Sequence, residues 1–372
     1  MRFLIISHAL HKTVNQQVYS YAPYVREMNV WLKHVDNVTV IAPKVENNIN
    51  AIEIPYKHQN IQLQSIPSIQ FTSVNHILLA LLNLPVIFFR IFIACKQADH
   101  IHLRCPGNIG LLGCIAQVFF PKKIKTAKYA GNWAPKAKQP LSYRFQKWLL
   151  SNTILTKNIQ VLVYGNWKNQ TKNIKSFFTA TYSQSEIEKA PNREYNTELK
   201  FIFVGSLVTG KRPLLAIQII ENLKRKGYNV SLDLFGDGVL KAELFQYISE
   251  NRIESIINIH GNKTKDIVKE ALKIAHFSIL PSKSEGWPKA IAEAMFFGCI
   301  PVVTKISCVP FMLDYGKRGV LIESELEDAT QTIINVVADK ERLSLMSELA
   351  LKWSQHYTLD LFESEIVKLL KQ

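Results

Sequence analysis

Acidic side chains are missing from a long stretch of this chain: none occurs between Asp99 and Glu186. The same stretch holds Arg104, Lys122, Lys123, Lys125, Lys128, Lys136, Lys138, Arg144 and Lys147. Residues 1–200 carry 24 Lys and Arg against 9 Asp and Glu, whereas residues 201–372 carry 21 of each. The whole net charge of +15 therefore sits in the first half. An imbalance so confined marks a surface facing something anionic, phospholipid headgroups or nucleic acid, and uniform solubility charge would not remove the acids. Cysteine is sparse too. Cys95, Cys105, Cys114, Cys299 and Cys308 form no C-x-x-C pair, which argues for a reducing compartment and against a disulfide framework or zinc site. The opening MRFLIISHAL breaks its apolar run at His8, too soon for a secretory signal, and reads as a buried first strand. No G-x-G-x-x-G follows a predicted strand, which disfavours a nicotinamide dehydrogenase. The most apolar run, residues 77–95, is interrupted by Asn83, Pro85 and Arg90; it reads as a helix, buried or lying on a membrane surface, not as a span.

What is present is an ordinary globular composition, 47% apolar and 20% charged over 372 residues, a length that implies two domains. Strands are expected at 2–7, 38–42, 53–55, 61–66, 101–103, 125–130, 161–164 and 179–183. Helices are expected at 15–33 and 107–120, with a basic, aromatic amphipathic helix over 134–160. Residues 184–198 are polar, contain a proline and lack periodicity, and read as a linker. From Leu199 strand–loop–helix units repeat, the pattern of a doubly wound parallel sheet with ligands at the carboxyl ends of its strands.

The second half centres on 275–304, AHFSILPSKSEGWPKAIAEAMFFGCIPVVT. An apolar run ends at Pro281, a polar loop follows, Pro288 suits the first helical position and Gly298 the residue past the helix end. Glu285 in the loop and Glu293 in the helix can both face the helix N-terminus. That end attracts phosphate, while the carboxylates accept hydrogen bonds from hydroxyls, so a nucleotide-sugar suits the segment; an ordinary βα unit with two solvated glutamates is the plainer alternative.

Together FVGSLVTGK, LFGDG, HGNK and SEGWPKAIAEAMFFGCIPVVT, with its E-x7-E spacing, resemble the retaining family 4 group of GT-B glycosyltransferases, the glycosyl transferases group 1 family. The resemblance covers residues 200–325 by motif and residues 1–190 by layout alone. It implies an α/β GT-B fold, two Rossmann-like doubly wound domains facing a central cleft. Residues 1–190 would bind the acceptor and 199–354 the nucleotide-sugar, with the terminal helix, within 355–372, packing back on the first domain. It implies Lys211 as the donor-diphosphate cation, Glu293 on the ribose, Glu285 on the donor sugar, and His102 as the first domain's histidine near that sugar; Lys211, Glu285 and His102 are the catalytic candidates. Gly205, Ser206, Arg212, Gly236, Gly261, Asn262, Lys263, Gly286, Trp287, Pro288 and Lys289 complete the expected donor site. Ser206 stands where the family has an arginine, and Arg212 is the candidate replacement. The family's N-terminal glycine-rich loop is absent, and His8, His11 and Lys12 follow the first strand instead. No Asp-x-Asp occurs, so neither metal nor cofactor is expected, the nucleotide-sugar being a substrate.

The expected partners are a UDP- or GDP-sugar, a saccharide or lipid-linked acceptor and, through the basic first half, an anionic membrane surface; no nucleic acid is expected. The setting would be bacterial surface polysaccharide assembly, cytoplasmic and peripheral on the inner membrane face. A GT-B sugar epimerase or phosphorylase stays open, as does, less favoured, a nucleic-acid or anionic-surface binding protein.

Overall fold

The computed structural model describes residues 1–371 apart from 47, 51, 70–73 and 190, so the expected domain edge at 190 and the end of the terminal segment at 372 lie outside it. The chain divides into two compact units, Met1–Phe178 with Phe362–Gln372, and Thr179–Leu361.

The first unit runs β1 (Arg2–Ile6), β2 (Lys12–Val14), β3 (Gln17–Tyr21), α1 (Ala22–Leu32), β4 (Asn37–Pro43), β5 (Glu53–Pro55), β6 (Ile61–Ile66), α2 (Val74–Gln97), β7 (His100–Cys105), α3 (Asn108–Ala116), β8 (Ile124–Tyr129), α4 (Leu141–Ser151), β9 (Ile159–Tyr164) and β10 (Ile174–Phe177). Seven strands form one parallel sheet in the order β10-β9-β8-β7-β1-β4-β6, with Phe3 opposite Val38 on one side and His100 on the other. One face is covered by α2, α3 and α4, whose Ile87, Ile91, Ile109 and Leu150 bury against Leu4, Ile6 and Leu103. On the other face Trp31 of α1 stacks on Phe3 and lies 4.7 Å from the His102 ring.

Three expectations for this unit are corrected. Residues 15–33 are not one helix: β2 and β3 form a hairpin through Asn15 and Gln16, both at positive φ, and the helix begins only at Ala22. Pro23 explains the late start, since proline fits a first turn but breaks a helix interior. The basic helix expected over 134–160 is confined to α4, opening just after Pro140. Residues 179–183 are no strand; the sheet ends at β10, and the tract read as a linker packs in the second unit, where Arg193 donates to the carbonyls of Ala275 and Phe297.

The second unit runs β11 (Leu199–Val204), α5 (Pro213–Arg225), β12 (Val230–Phe235), α6 (Lys241–Glu250), β13 (Ile257–Gly261), α7 (Lys265–Ile274), β14 (Phe277–Leu280), α8 (Lys289–Phe296), β15 (Ile300–Thr304), α9 (Val309–Met312), β16 (Val320–Ile322), α10 (Leu326–Val337) and α11 (Lys340–His356). The last helix, α12 (Leu359–Leu370), starts in this unit and ends in the first, where Phe362 lies against Phe177 and Phe178 and Glu365 pairs with Lys175. The six parallel strands take the order β13-β12-β11-β14-β15-β16. The order reverses direction between β11 and β14, the switch point where loops leave a crevice at the carboxyl edge.

Backbone contacts hold that edge together. Gly205 N–H donates to Phe235 O and Gly236 N–H to Gly261 O, both at 2.9 Å. A Cβ on Gly236, at φ +145°, would lie 1.9 Å from Gly205 O. Gly236→Ala is therefore expected to cost roughly 2–4 kcal/mol by strain and overlap. Gly210→Ala, with nothing within 4 Å of its Cβ, should stay within about 0.5 kcal/mol. Thermal denaturation distinguishes the two, and equal melting temperatures would contradict the close approach.

Buried histidines set a pH dependence. Burial lowers His11 to about 4 and His100 to about 3, and holds His102 well below 6.5. Unfolded, each takes up a proton near pH 6.5; folded, each stays neutral. Stability is thus full above pH 6.5 and is lost as pH falls from there through the folded values, by up to about 1.4 kcal/mol per pH unit for each histidine. The urea midpoint should drop clearly between pH ~7.5 and ~5; an unchanged midpoint would show that these rings take up protons as readily in the folded chain as in the unfolded one.

Candidate functional site

The loops after β11 and β14 flank the switch point, and each brings one charged side chain to it. Lys211 follows Gly210 and precedes Arg212, whose left-handed conformation (φ 53°) turns the chain into α5 at Pro213. Glu285 comes from the loop between β14 and α8. The Lys211 ammonium donates to Glu285 Oε1 at 2.6 Å. The carboxylate side chain is only 6% exposed and the lysine 31%, so the cation is the member a solute reaches. Lys283 N–H donates to Gly210 O at 2.8 Å and fastens the two loops together.

The α8 side of the site differs by one residue from the sequence reading. Pro288 is the residue before the helix, and Lys289 is the first helical one. Glu293 on the second turn accepts from Thr181 Oγ1 at 2.7 Å. Thr181, Lys289, Glu293 and Trp287 line a shallow recess together with Tyr357. The Trp287 indole turns onto Trp353 of α11, ring centroids 5.9 Å apart, leaving its backbone and that of Gly286 on the loop. Cys308 Sγ donates to Gly286 O at 2.9 Å, and Thr304 Oγ1 to Ser282 O at 2.6 Å, so the loop is pinned from the end of β15 and from the residue before α9. Burial, more than the nearby Glu293 carboxylate, raises the Tyr182 phenol and keeps it neutral.

The other expected residues divide. Gly205, Gly236 and Gly261 lie at the stitched edge, and Ser206, Asn262 and Lys263 are exposed on it. Arg212 does not point its guanidinium at Glu285; it donates to Ser324 O at 2.9 Å, after β16. His102 belongs to the first unit and has no exposed surface; it shares Thr126 Oγ1 with His100, each at 2.9 Å. Neither ring of the pair is exposed. His11 is likewise buried, bonded to Tyr56 Oη at 2.8 Å, and Lys12 is paired with Glu53 at 2.7 Å. The sequence reading missed Thr181, because it lay in a tract taken for a strand, and Cys308, an apolar-looking residue whose thiol finds the loop only in three dimensions.

Chemically, the second-unit site offers the accessible Lys211 ammonium, the carboxylates of Glu285 and Glu293, and the N-terminus of α8, whose open N–H groups favour anions. Anionic and hydroxyl-bearing groups can therefore be held side by side. Among the described residues no three His, Cys, Asp or Glu side chains gather as a metal site.

Residues 184–353 match the family model of glycosyl transferases group 1. WcaL of Salmonella typhimurium, a glycosyltransferase assigned to colanic acid biosynthesis, is 28% identical over 186 residues, 46% of this chain and 45% of that protein. The capsular polysaccharide biosynthesis glycosyltransferase CapH of Staphylococcus aureus is 27% identical over 172 residues, 44% of this chain and 46% of its own. The chain thus spans about half the length of these curated relatives. HepE of Anabaena, solved in complex with UDP and glucose, superimposes at TM-score 0.69 over 100% of both chains with 14% identity. The two α/β units have the GT-B fold, and residues 184–353 carry the match to the glycosyl transferases group 1 family.

Proposed function

We propose that this protein is a retaining glycosyltransferase that moves a sugar from a UDP- or GDP-linked donor to a saccharide acceptor carried on a lipid. The observation that carries the reading is the Lys211–Glu285 pair at the switch point, beside the N-terminus of α8. Arriving diphosphate takes Lys211 for itself, and the helix N-terminus adds to the charge neutralisation, so that no metal is invoked. Glu285, released from the lysine, accepts hydrogen bonds from the donor sugar's hydroxyls. Glu293, oriented by Thr181, accepts from the ribose. Main-chain groups at Gly261, Asn262 and Lys263 hold the base. The acceptor oxygen attacks the anomeric carbon on the face the diphosphate leaves, and a diphosphate oxygen takes its proton. Relatives named for colanic acid and capsular polysaccharide biosynthesis support surface polysaccharide assembly as the setting, at the inner face of an anionic membrane.

Turnover of UDP- and GDP-sugars tests the reading. Lys211→Ala and Glu285→Ala should each lower kcat/KM by about 100-fold or more. Thr181→Ala should raise KM several-fold, leaving kcat within about twofold, because it loosens only a ribose-binding carboxylate. Equal turnover in the wild type and both charge variants would refute the assignment. Release of free UDP without any acceptor would point to an epimerase, and a requirement for inorganic phosphate to a phosphorylase.

A further inference from the structure

The helical layer of the first unit carries apolar side chains that cover nothing. On α2, Leu82, Val86, Phe89 and Ile93 are all exposed, Leu82 by 75% and Phe89 by 63%. Their spacing of four, three and four places them in one narrow stripe, opposite the buried Ile87, Ile91 and Cys95. On α4, Leu141, Phe145 and Trp148 repeat the pattern, and the last two rings stack at 5.5 Å. The two helices flank α3 on the same face of the sheet. Phe119, itself 62% exposed, meets Phe92 of α2 edge-on at 5.8 Å, which extends the apolar surface toward the amino ends of β8 and β9. An exposed apolar area of this extent marks a binding surface.

Beside it, at those amino ends, lies a cleft of about 670 Å³. Lys122, Lys157 and Lys172 stand exposed around it, and Lys125 is buried in its wall with its ammonium donating to the carbonyls of Gln117 and Phe120. Ile154, 78% exposed, lies on the loop that lines it. Arg90, Lys96 and Arg144 add exposed positive charge on α2 and α4. Residues 100–185 contribute no carboxylate to oppose them, and Asp99, which follows α2, is paired with Arg2.

We infer that the α2–α4 face of the first unit docks on a bilayer containing anionic phospholipid, the apolar stripes entering the headgroup boundary and the lysine-lined cleft receiving headgroup phosphates. Charge complementarity selects this occupant: a neutral surface would satisfy the stripes but leave the exposed lysines of the cleft without counter-charge, whereas such a bilayer presents an apolar boundary and anionic phosphates side by side. The inference deepens the membrane part of the proposed function and rests on it, whereas the donor site lies in the other unit and is measured separately. The docking face is distinct from the carboxyl edge of its own sheet, since the cleft opens at the opposite ends of the strands.

Sedimentation of the full chain with phosphatidylcholine vesicles, with and without phosphatidylglycerol, tests it. Binding is expected only with phosphatidylglycerol present, and high salt should release it. Phe89→Asp with Trp148→Asp should abolish it at low salt. The triple variant Lys122→Ser, Lys157→Ser, Lys172→Ser should weaken it by about tenfold or more. All substituted groups are exposed, and the thermal shift given by UDP should be unchanged in every variant. Equal binding to pure phosphatidylcholine, or apolar variants that bind like the wild type, would overturn the inference. So would selective release by inorganic phosphate at matched ionic strength, preferential binding of a single-stranded oligonucleotide, or a dimer that Phe89→Asp dissociates. Loss of the UDP shift with vesicle binding intact would instead remove the donor assignment alone.

Discussion

The second unit depends on a charge balance at its switch point. A nearly buried carboxylate, Glu285, is tolerable only because Lys211 lies 2.6 Å away. Removing either leaves the other as an uncompensated charge near the core. The ion pair thus holds two loops in register while storing the two groups that an anionic, hydroxyl-rich ligand needs. The hydrogen bond from Lys283 to Gly210, and the anchors from Thr304 and Cys308, mean that the side chains can change partners without the loops changing place. Preorganisation of that kind is what makes a cation effective against developing phosphate charge.

Much of this was legible in the sequence because it is local. Strand runs ended by Gly or Pro, followed by helical periodicity, place Gly205, Gly236, Gly261 and Glu285 on one edge once a parallel sheet is assumed. The helix start at Lys289 and the glycine turn at Gly298 follow from Pro288 and Gly298 within a residue. What was not legible depends on distance along the chain. Thr181 reaches Glu293 across 112 residues, and Arg212 finds Ser324 across another 112. No spacing rule carries such information. The hairpin at Lys12–Tyr21 was misread for a different reason: Val18, Tyr21 and Val25 also fit a helical stripe, and the turn is made by Asn15-Gln16 where a glycine would have announced it.

The first unit divides its histidines and lysines in the same spirit. His100 and His102 point to the α1 face and share a threonine hydroxyl, so they serve packing. Lys128 is buried against the Tyr164 and Phe177 rings and donates to Phe178 O. Lys122, Lys157, Lys172, Lys96 and Arg144 instead stand exposed, on or beside the outer helices. Composition alone reveals the excess; only the fold separates the lysines that hold the unit together from those that confront its surroundings.

The stitched edge of the second sheet has a consequence for how such a protein can diversify. At Gly236 and Gly238 the neighbouring backbone fills the space where a side chain would begin. Those positions have no freedom, whatever ligand is bound. Ser206, Asn262 and Lys263, which follow Gly205 and Gly261 on the same edge, are exposed. Substitution there changes the chemistry the edge presents without disturbing how the edge is made. The fold thereby separates a rigid seam from variable positions beside it, so side chains on the edge can change while the backbone that carries them stays fixed.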